Sequence, residues 1–167
     1  MKFYLMSGLC GAGKTTISKQ FAQENNCRYI SIDSFYKAVF GDNLTHTHRD
    51  EVWELCFKAL DIAFEDRVDV VLDTNSPKLK NRKQIFEQFA KRYDESYILY
   101  VQTDAEQCMK NNRQRDRQIP EEEMKKIINA YEEPIEQELA DWTDIYIVRN
   151  ENNSILPAMS MRKRSQQ

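Results

Sequence analysis

At 167 residues, 41% hydrophobic and 31% charged, the chain suits one globular domain with a real core and is short for two. A formal charge of −3 exerts no global pull on polyanions, which disfavours coating of long duplexes and leaves any nucleic-acid contact to local basic clusters. Cys10, Cys27, Cys56 and Cys108 form no C-x-x-C pair, there is no signal-peptide pattern, and no apolar run nears the roughly 20 residues of a membrane span, so a cytoplasmic protein without zinc, redox motif or membrane contact is expected.

Phe3-Tyr4-Leu5-Met6 reads as a short buried strand. It runs into Ser7-Gly8-Leu9-Cys10-Gly11-Ala12-Gly13-Lys14-Thr15-Thr16, which fits G-x-x-x-x-G-K-[ST]. Three of the 4 glycines fall in this stretch, where the backbone must turn tightly and bring its amides close to oxygen anions. Thr15 to Ala22 follows as a helix with Ile17 and Phe21 at i, i+4. Arg28 to Asp33 is β-prone and predicts a second strand that delivers Asp33 to the sheet edge. A short helix over Ser34 to Phe40 is broken by Gly41-Asp42-Asn43, and His46 and His48 lie in the polar loop beyond as solvated residues rather than metal ligands. Asp50 to Phe64 is a long helix with Val52, Leu55, Cys56, Ala59, Leu60 and Ala63 on one face, widened by Trp53, Phe57 and Phe64.

Val68 to Leu72 is a buried strand ending at Asp73-Thr74-Asn75, the position of a Walker-B-like acid. Ser76-Pro77 predicts a helix start, with Ile85, Phe86, Phe89 and Ala90 inward. Ser96 to Val101 is a fourth strand, and Ala105 to about Asn112 a helix. The polar, arginine-rich run over about 111–119 does not place Arg113, Arg115 and Arg117 on one helix face and reads as a closing lid. Pro120 and three glutamates then open a helix facing inward through Met124, Ile127, Ile128 and Tyr131. Asp144 to Val148 is a fifth strand, and 151–167 a polar, basic, loosely held tail after a domain spanning 1–150. The alternation predicts a single-domain α/β fold, a five-stranded parallel sheet flanked by helices, with ligands at the carboxyl ends of the strands.

In such a loop the amides hold the β-phosphate, Lys14 reaches the β/γ oxygens, and the Thr15 hydroxyl joins a Mg²⁺ shell. The stretch Gly8, Cys10, Gly11, Ala12, Gly13, Lys14, Thr15 and Thr16, with Arg113, is therefore expected to bind a nucleoside triphosphate, ATP with Mg²⁺. Phosphoryl transfer to a hydroxyl also needs a carboxylate at the acceptor and cations around the migrating group, which Asp33, Lys14 and the lid residues Arg113 and Arg117 supply. Lys37 and the run Lys78, Lys80, Arg82 and Lys83 are the cations expected near an anionic acceptor.

The loop, Ile32-Asp33-Ser34-Phe35-Tyr36, Val70-Val71-Leu72-Asp73-Thr74-Asn75 and the arginine run before Ile119-Pro120-Glu121-Glu122 together resemble the P-loop kinases related to polynucleotide 5′-kinase, over about residues 2–131. The resemblance implies that Asp33 is the general base, that Asp73, with Asn75 and Arg82 beside it, organises the acceptor pocket, and that lid arginines clamp the phosphates. Where bacteriophage-type members hold the acceptor phosphate with an arginine, this chain has Tyr36, next to Lys37. The implied activity is γ-phosphate transfer to a nucleic-acid hydroxyl, first of all the 5′-OH of DNA or RNA. Two alternatives stay open: a kinase for a hydroxymethylated base, nucleotide or small metabolite, and an NTP-binding regulatory or toxin-like module.

Overall fold

A computed structural model describes residues 1–41, 48–116 and 118–164. Its centre is a strand whose side chains alternate between two buried faces. In β1 (Lys2–Gly8), Phe3 and Leu5 enter one core while Tyr4 and Met6 enter the other. Such a strand is apolar on both sides because helices cover both.

β1 pairs in parallel with β3 (Val70–Asp73) and β4 (Glu95–Gln102). β2 (Arg28–Ser31) lies outside β3, and β5 (Asp144–Glu151) outside β4, giving the parallel order β2-β3-β1-β4-β5. The expected five-stranded parallel sheet is present. Helices α3 (Arg49–Glu65) and α4 (Leu79–Phe89) cover the Phe3 face through Val52, Cys56, Leu60, Ile85 and Phe89. On the Tyr4 face, α1 (Lys14–Glu24), α5 (Ala105–Arg113) and α6 (Glu121–Ala130) contribute Ile17, Ala22, Cys108 and Met124.

Besides Leu55 and Ala90, which were expected on inward faces and are exposed, three local expectations differ from the structure. The second strand ends at Ser31, and Asp33 lies in the first turn of α2 (Ile32–Phe40). Ser76 does not cap a helix: α4 opens three residues later, and the buried Ser76 hydroxyl donates to the Met6 carbonyl at 2.9 Å, tying the loop after β3 to the end of β1. The helix start is served by Glu132, whose carboxylate accepts from the Leu79 amide at 2.9 Å, where an anion complements the helix dipole.

The third difference is the tail, which as far as Arg164 is packed rather than loosely held. β5 pairs antiparallel with β6 (Ser154–Ile155) and β7 (Met159–Ser160), and α7 (Met161–Arg164) follows. Buried Asp144 accepts from the Ser160 hydroxyl and the Arg162 amide, and the Arg162 guanidinium donates to the carbonyls of Thr143, Leu139 and Trp142. β7 thereby covers an edge that would otherwise expose a row of unpaired backbone groups.

Candidate active site

The loop between β1 and α1 is anchored through its carbonyls. Asn111 donates to the Gly11 carbonyl at 2.8 Å, Asn150 and Thr103 donate to that of Ala12 at 2.8 and 3.2 Å, and Lys14 Nζ donates to those of Gly8 and Leu9, both at 2.9 Å. Gly11 and Gly13 take φ of +85° and +93°. A Cβ on Gly11 would lie 2.6 Å from the Cys108 carbonyl oxygen, so both conformation and space demand glycine there. Successive amides in such a conformation, leading into a helix N-terminus, form an anion-binding concavity.

Lys14 is desolvated in this fold, and burial lowers the pKa of its ammonium; Arg115 acts in the same direction, while the charge of Asp73 opposes it. Its two carbonyl partners hold it across the loop. Thr15 faces the end of β3, where its hydroxyl donates to Asp73 Oδ2 at 2.8 Å. The Tyr29 hydroxyl donates to the same oxygen, also at 2.8 Å. Burial, and next the Asp73 charge, push the Tyr29 phenol up to about 12, which keeps it a donor. A carboxylate 5% exposed beside a hydroxyl is a hard-oxygen donor set that suits Mg²⁺, so Thr15, with Asp73, could hold that ion. The placement makes Asp73 a neighbour of the phosphate loop.

Strand register brings the other acid to the same edge. Ser31 is paired with Asp73, so Asp33 and Asn75 each lie two residues beyond one matched pair on adjacent strands, both exposed. The Tyr36 hydroxyl feels the charges of Arg49, Asp33 and Asp50, with desolvation the larger influence raising its pKa. Lys37 is exposed on the same helix, and Thr16 is exposed in the first turn of α1.

Arg82 does not belong to the acceptor set. It is 0% exposed, forms a two-pronged ion pair with Glu138 at 2.8 and 2.7 Å, and donates to the carbonyls of Ser76, Glu132 and Glu133. All its donors are turned inward because residue 82 shares a helix face with Ile85 and Phe89. It braces the segment after Asp73 instead of meeting a ligand.

The arginine-rich segment expected to close as a lid has a built stem. α5 runs on through Arg113, and the buried Asn112 side chain donates to the Ile119 carbonyl at 2.7 Å and accepts from its amide at 3.0 Å. Arg113 is exposed and pairs with Glu121 at 3.4 Å, a contact worth little in water. Arg115 donates to Cys10 Sγ at 3.5 Å, so of the two described arginines of this segment it is the one placed against the loop. Arg117 lies outside the described residues, as does His46. His48 pairs with Glu51 at 3.1 Å.

Two hollows lie on the described surface, and neither was evident in the sequence. A polar one of about 440 Å³ is lined by residues 102–104 and 149–152, beside the Thr103 and Asn150 anchors. A larger cleft of about 760 Å³ opens between α3 and α4 and reaches Asn75.

Comparison with known proteins places this geometry. Among solved structures, the chain is similar to a protein in the Pnkp1/Rnl/Hen1 RNA repair complex (19% identity, TM-score 0.70, covering 77% of this chain and 43% of that one). It thus spans less than half of that longer chain. It is also similar to a gluconokinase from Sinorhizobium meliloti 1021 (17%, 0.59, covering 89% and 82%) and to shikimate kinase from Bacteroides thetaiotaomicron (23%, 0.52, covering 84% and 81%). These likenesses are ones of fold, shared by proteins whose acceptors differ. A family model described as an AAA domain matches residues 4–134, and with the phosphate loop, the Thr15–Asp73 pair and the sheet order in place, the chain belongs to this AAA domain family.

Proposed function

We propose that the chain transfers the γ-phosphate of ATP to a hydroxyl of a nucleic acid, the 5′-OH of a DNA or RNA end. The observation that supports the transfer chemistry is the register of Ser31 with Asp73, because Asp33 follows Ser31 by two residues and so belongs to the same end of the sheet as the Thr15–Asp73 pair. Asp33 takes the acceptor proton, the acceptor oxygen bonds to the γ-phosphorus, the bond to the β,γ-bridging oxygen breaks, and ADP leaves. Lys14 exchanges its two carbonyl partners for phosphate oxygens, and Arg115 with Arg113 closes over them. Mg²⁺, when bound, neutralises β- and γ-phosphate charge. The polar hollow beside Ala12 is the place for the donor nucleoside. The acceptor reading is supported by the fold likeness to a member of an RNA repair complex and by the resemblance in Asp73-Thr74-Asn75.

A second reading, a small neutral acceptor, is favoured by one observation: with Arg82 buried, the cleft beside Asn75 is lined by more carboxamides than cations. Transfer from γ-labelled ATP to a panel of 5′-OH oligonucleotides, hydroxymethylated DNA, nucleoside monophosphates and small alcohols decides between them. The expected outcome is labelling of the oligonucleotides, with Asp33→Asn keeping ATP affinity and losing roughly 10²-fold or more in transfer. Preference for a small alcohol over every oligonucleotide would establish the second reading. ATP binding with no transfer to any acceptor would indicate a regulatory module.

A further inference from the structure

The α3–α4 cleft carries more chemistry than its volume. Arg49 and Trp53 stand at i, i+4 on α3, Asn81, Gln84 and Gln88 at i, i+3, i+7 on α4, and Asn75 between them. Asn75 is two residues from Asp73, within about 7 Å by chain reach, so a group seated there adjoins the phosphate loop. Trp53 is half-buried and packs on Phe57 (centroids 5.3 Å apart, planes at 51°), which packs in turn on buried Phe89. The indole is therefore held as a platform. Four carboxamides around it both donate and accept, which suits the edge of a neutral ring better than a row of phosphates.

The charges agree with that reading. Arg49 is the one cation among the lining residues, and Asp50, Glu54 and Glu87 line the same cleft. Among the described residues Arg49 has no ion-pair partner, whereas Lys83 on α4 is 4.0 Å from Glu87. A polyanionic strand would be repelled along most of the cleft, while one phosphate could reach Arg49.

Resting on the nucleic-acid reading above, we propose that this cleft seats only the terminal nucleoside of the acceptor, with its base stacked on Trp53, the base edge read by the carboxamides of Asn81, Gln84 and Gln88, and its single 3′-phosphate held by Arg49. Recognition then lies in one unit and not in a tract. The ribose 5′-OH of that unit points toward Asn75 and Asp33.

The test measures transfer to 5′-OH acceptors of increasing length: a nucleoside, its 3′-monophosphate, a dinucleotide and a decamer. KM should fall from nucleoside to 3′-monophosphate and then stay within about threefold to the decamer. Base stacking of about 1–3 kcal/mol corresponds to roughly a 5- to 150-fold rise in KM for Trp53→Ala, with kcat much less affected, and Trp53→Phe should recover most of it. Should Trp53→Ala fail to fold, exposed Gln84→Ala together with Gln88→Ala gives the same readout. Quenching offers a second one: the chain has 2 tryptophans, and Trp142 is 1% exposed, so 3′-monophosphate quenching of intrinsic fluorescence reports on Trp53. Unchanged acceptor KM in these variants, with oligonucleotide transfer intact, would overturn the cleft assignment and leave the function standing. Absence of transfer to every 5′-OH acceptor, with a baseless polyol phosphorylated instead, would overturn both.

Discussion

Lys14 is a cation whose desolvation opposes folding. Burial lowers its pKa below the ordinary lysine value, so across the window between the two values the unfolded chain holds a proton that the folded chain has shed. Folding stability therefore rises with pH through that window, as the penalty for burying a cation disappears. Replacement by Met abolishes the penalty together with the bonds to Gly8 and Leu9. The expected outcome is that the stability difference between Lys14→Met and the parent shifts in the parent's favour from pH 7 to pH 10, measured by thermal unfolding, while transfer drops by several orders of magnitude. A pH-independent difference would mean that Lys14 is not desolvated. The loop was legible in the sequence because its requirements are local, a glycine at each positive φ and a lysine and threonine at the helix start. Its anchors were not: Asn111, Thr103 and Asn150 reach it from 91 to 138 positions away, and polar residues that brace a distant carbonyl look the same in sequence as polar residues in solvent.

Among the elements, α4 shows how a basic run can mislead. Lys78, Lys80, Arg82 and Lys83 are adjacent in sequence, but a helix distributes them, and position 82 falls on the stripe of Ile85 and Phe89 at i, i+3, i+7. That spacing was the available signal, outweighed by the expectation that arginine stays wet. The pair it makes with Glu138 is buried on both sides, at 0% and 6% side-chain exposure. Removing one partner strands the other charge, so Arg82→Ala is expected to destabilise by about 3–5 kcal/mol and to lower Tm by roughly 10 °C. Arg82→Met combined with Glu138→Leu should recover most of that, since no charge is then left unpaired. Circular dichroism melts check both; a melt of Arg82→Ala like the parent's would restore Arg82 to a surface role. The lid illustrates the same limit: its arginines were visible, but the two-bond clamp of Asn112 on Ile119 depends on how the chain returns after a seven-residue excursion.

For the molecule as a whole, the alternation of strands and helices fixed which ends of the sheet meet, and with it the neighbourhood of Thr15, Asp33 and Asp73. The charge balance decides how an acceptor can be held there. With a formal charge of −3, Arg82 buried and Lys83 4.0 Å from Glu87, the four cations of the Lys78 to Lys83 run do not form one continuous exposed tract. Counterion release from a single strand gives a log–log slope of about −0.7 per phosphate contact. One contact, at Arg49, therefore predicts that KM for a 5′-OH oligonucleotide rises roughly threefold between about 50 and 200 mM salt. Three contacts, the lysines Lys78, Lys80 and Lys83 of that run, would raise it roughly twentyfold over the same range. Arg49→Ala should flatten the shallow dependence further, because it removes the one charge that answers the phosphate. Initial rates at four salt concentrations, with ATP saturating throughout, separate the two cases. A steep slope that survives Arg49→Ala would return the acceptor to the outer face of α4, where Lys80 and Lys83 are exposed.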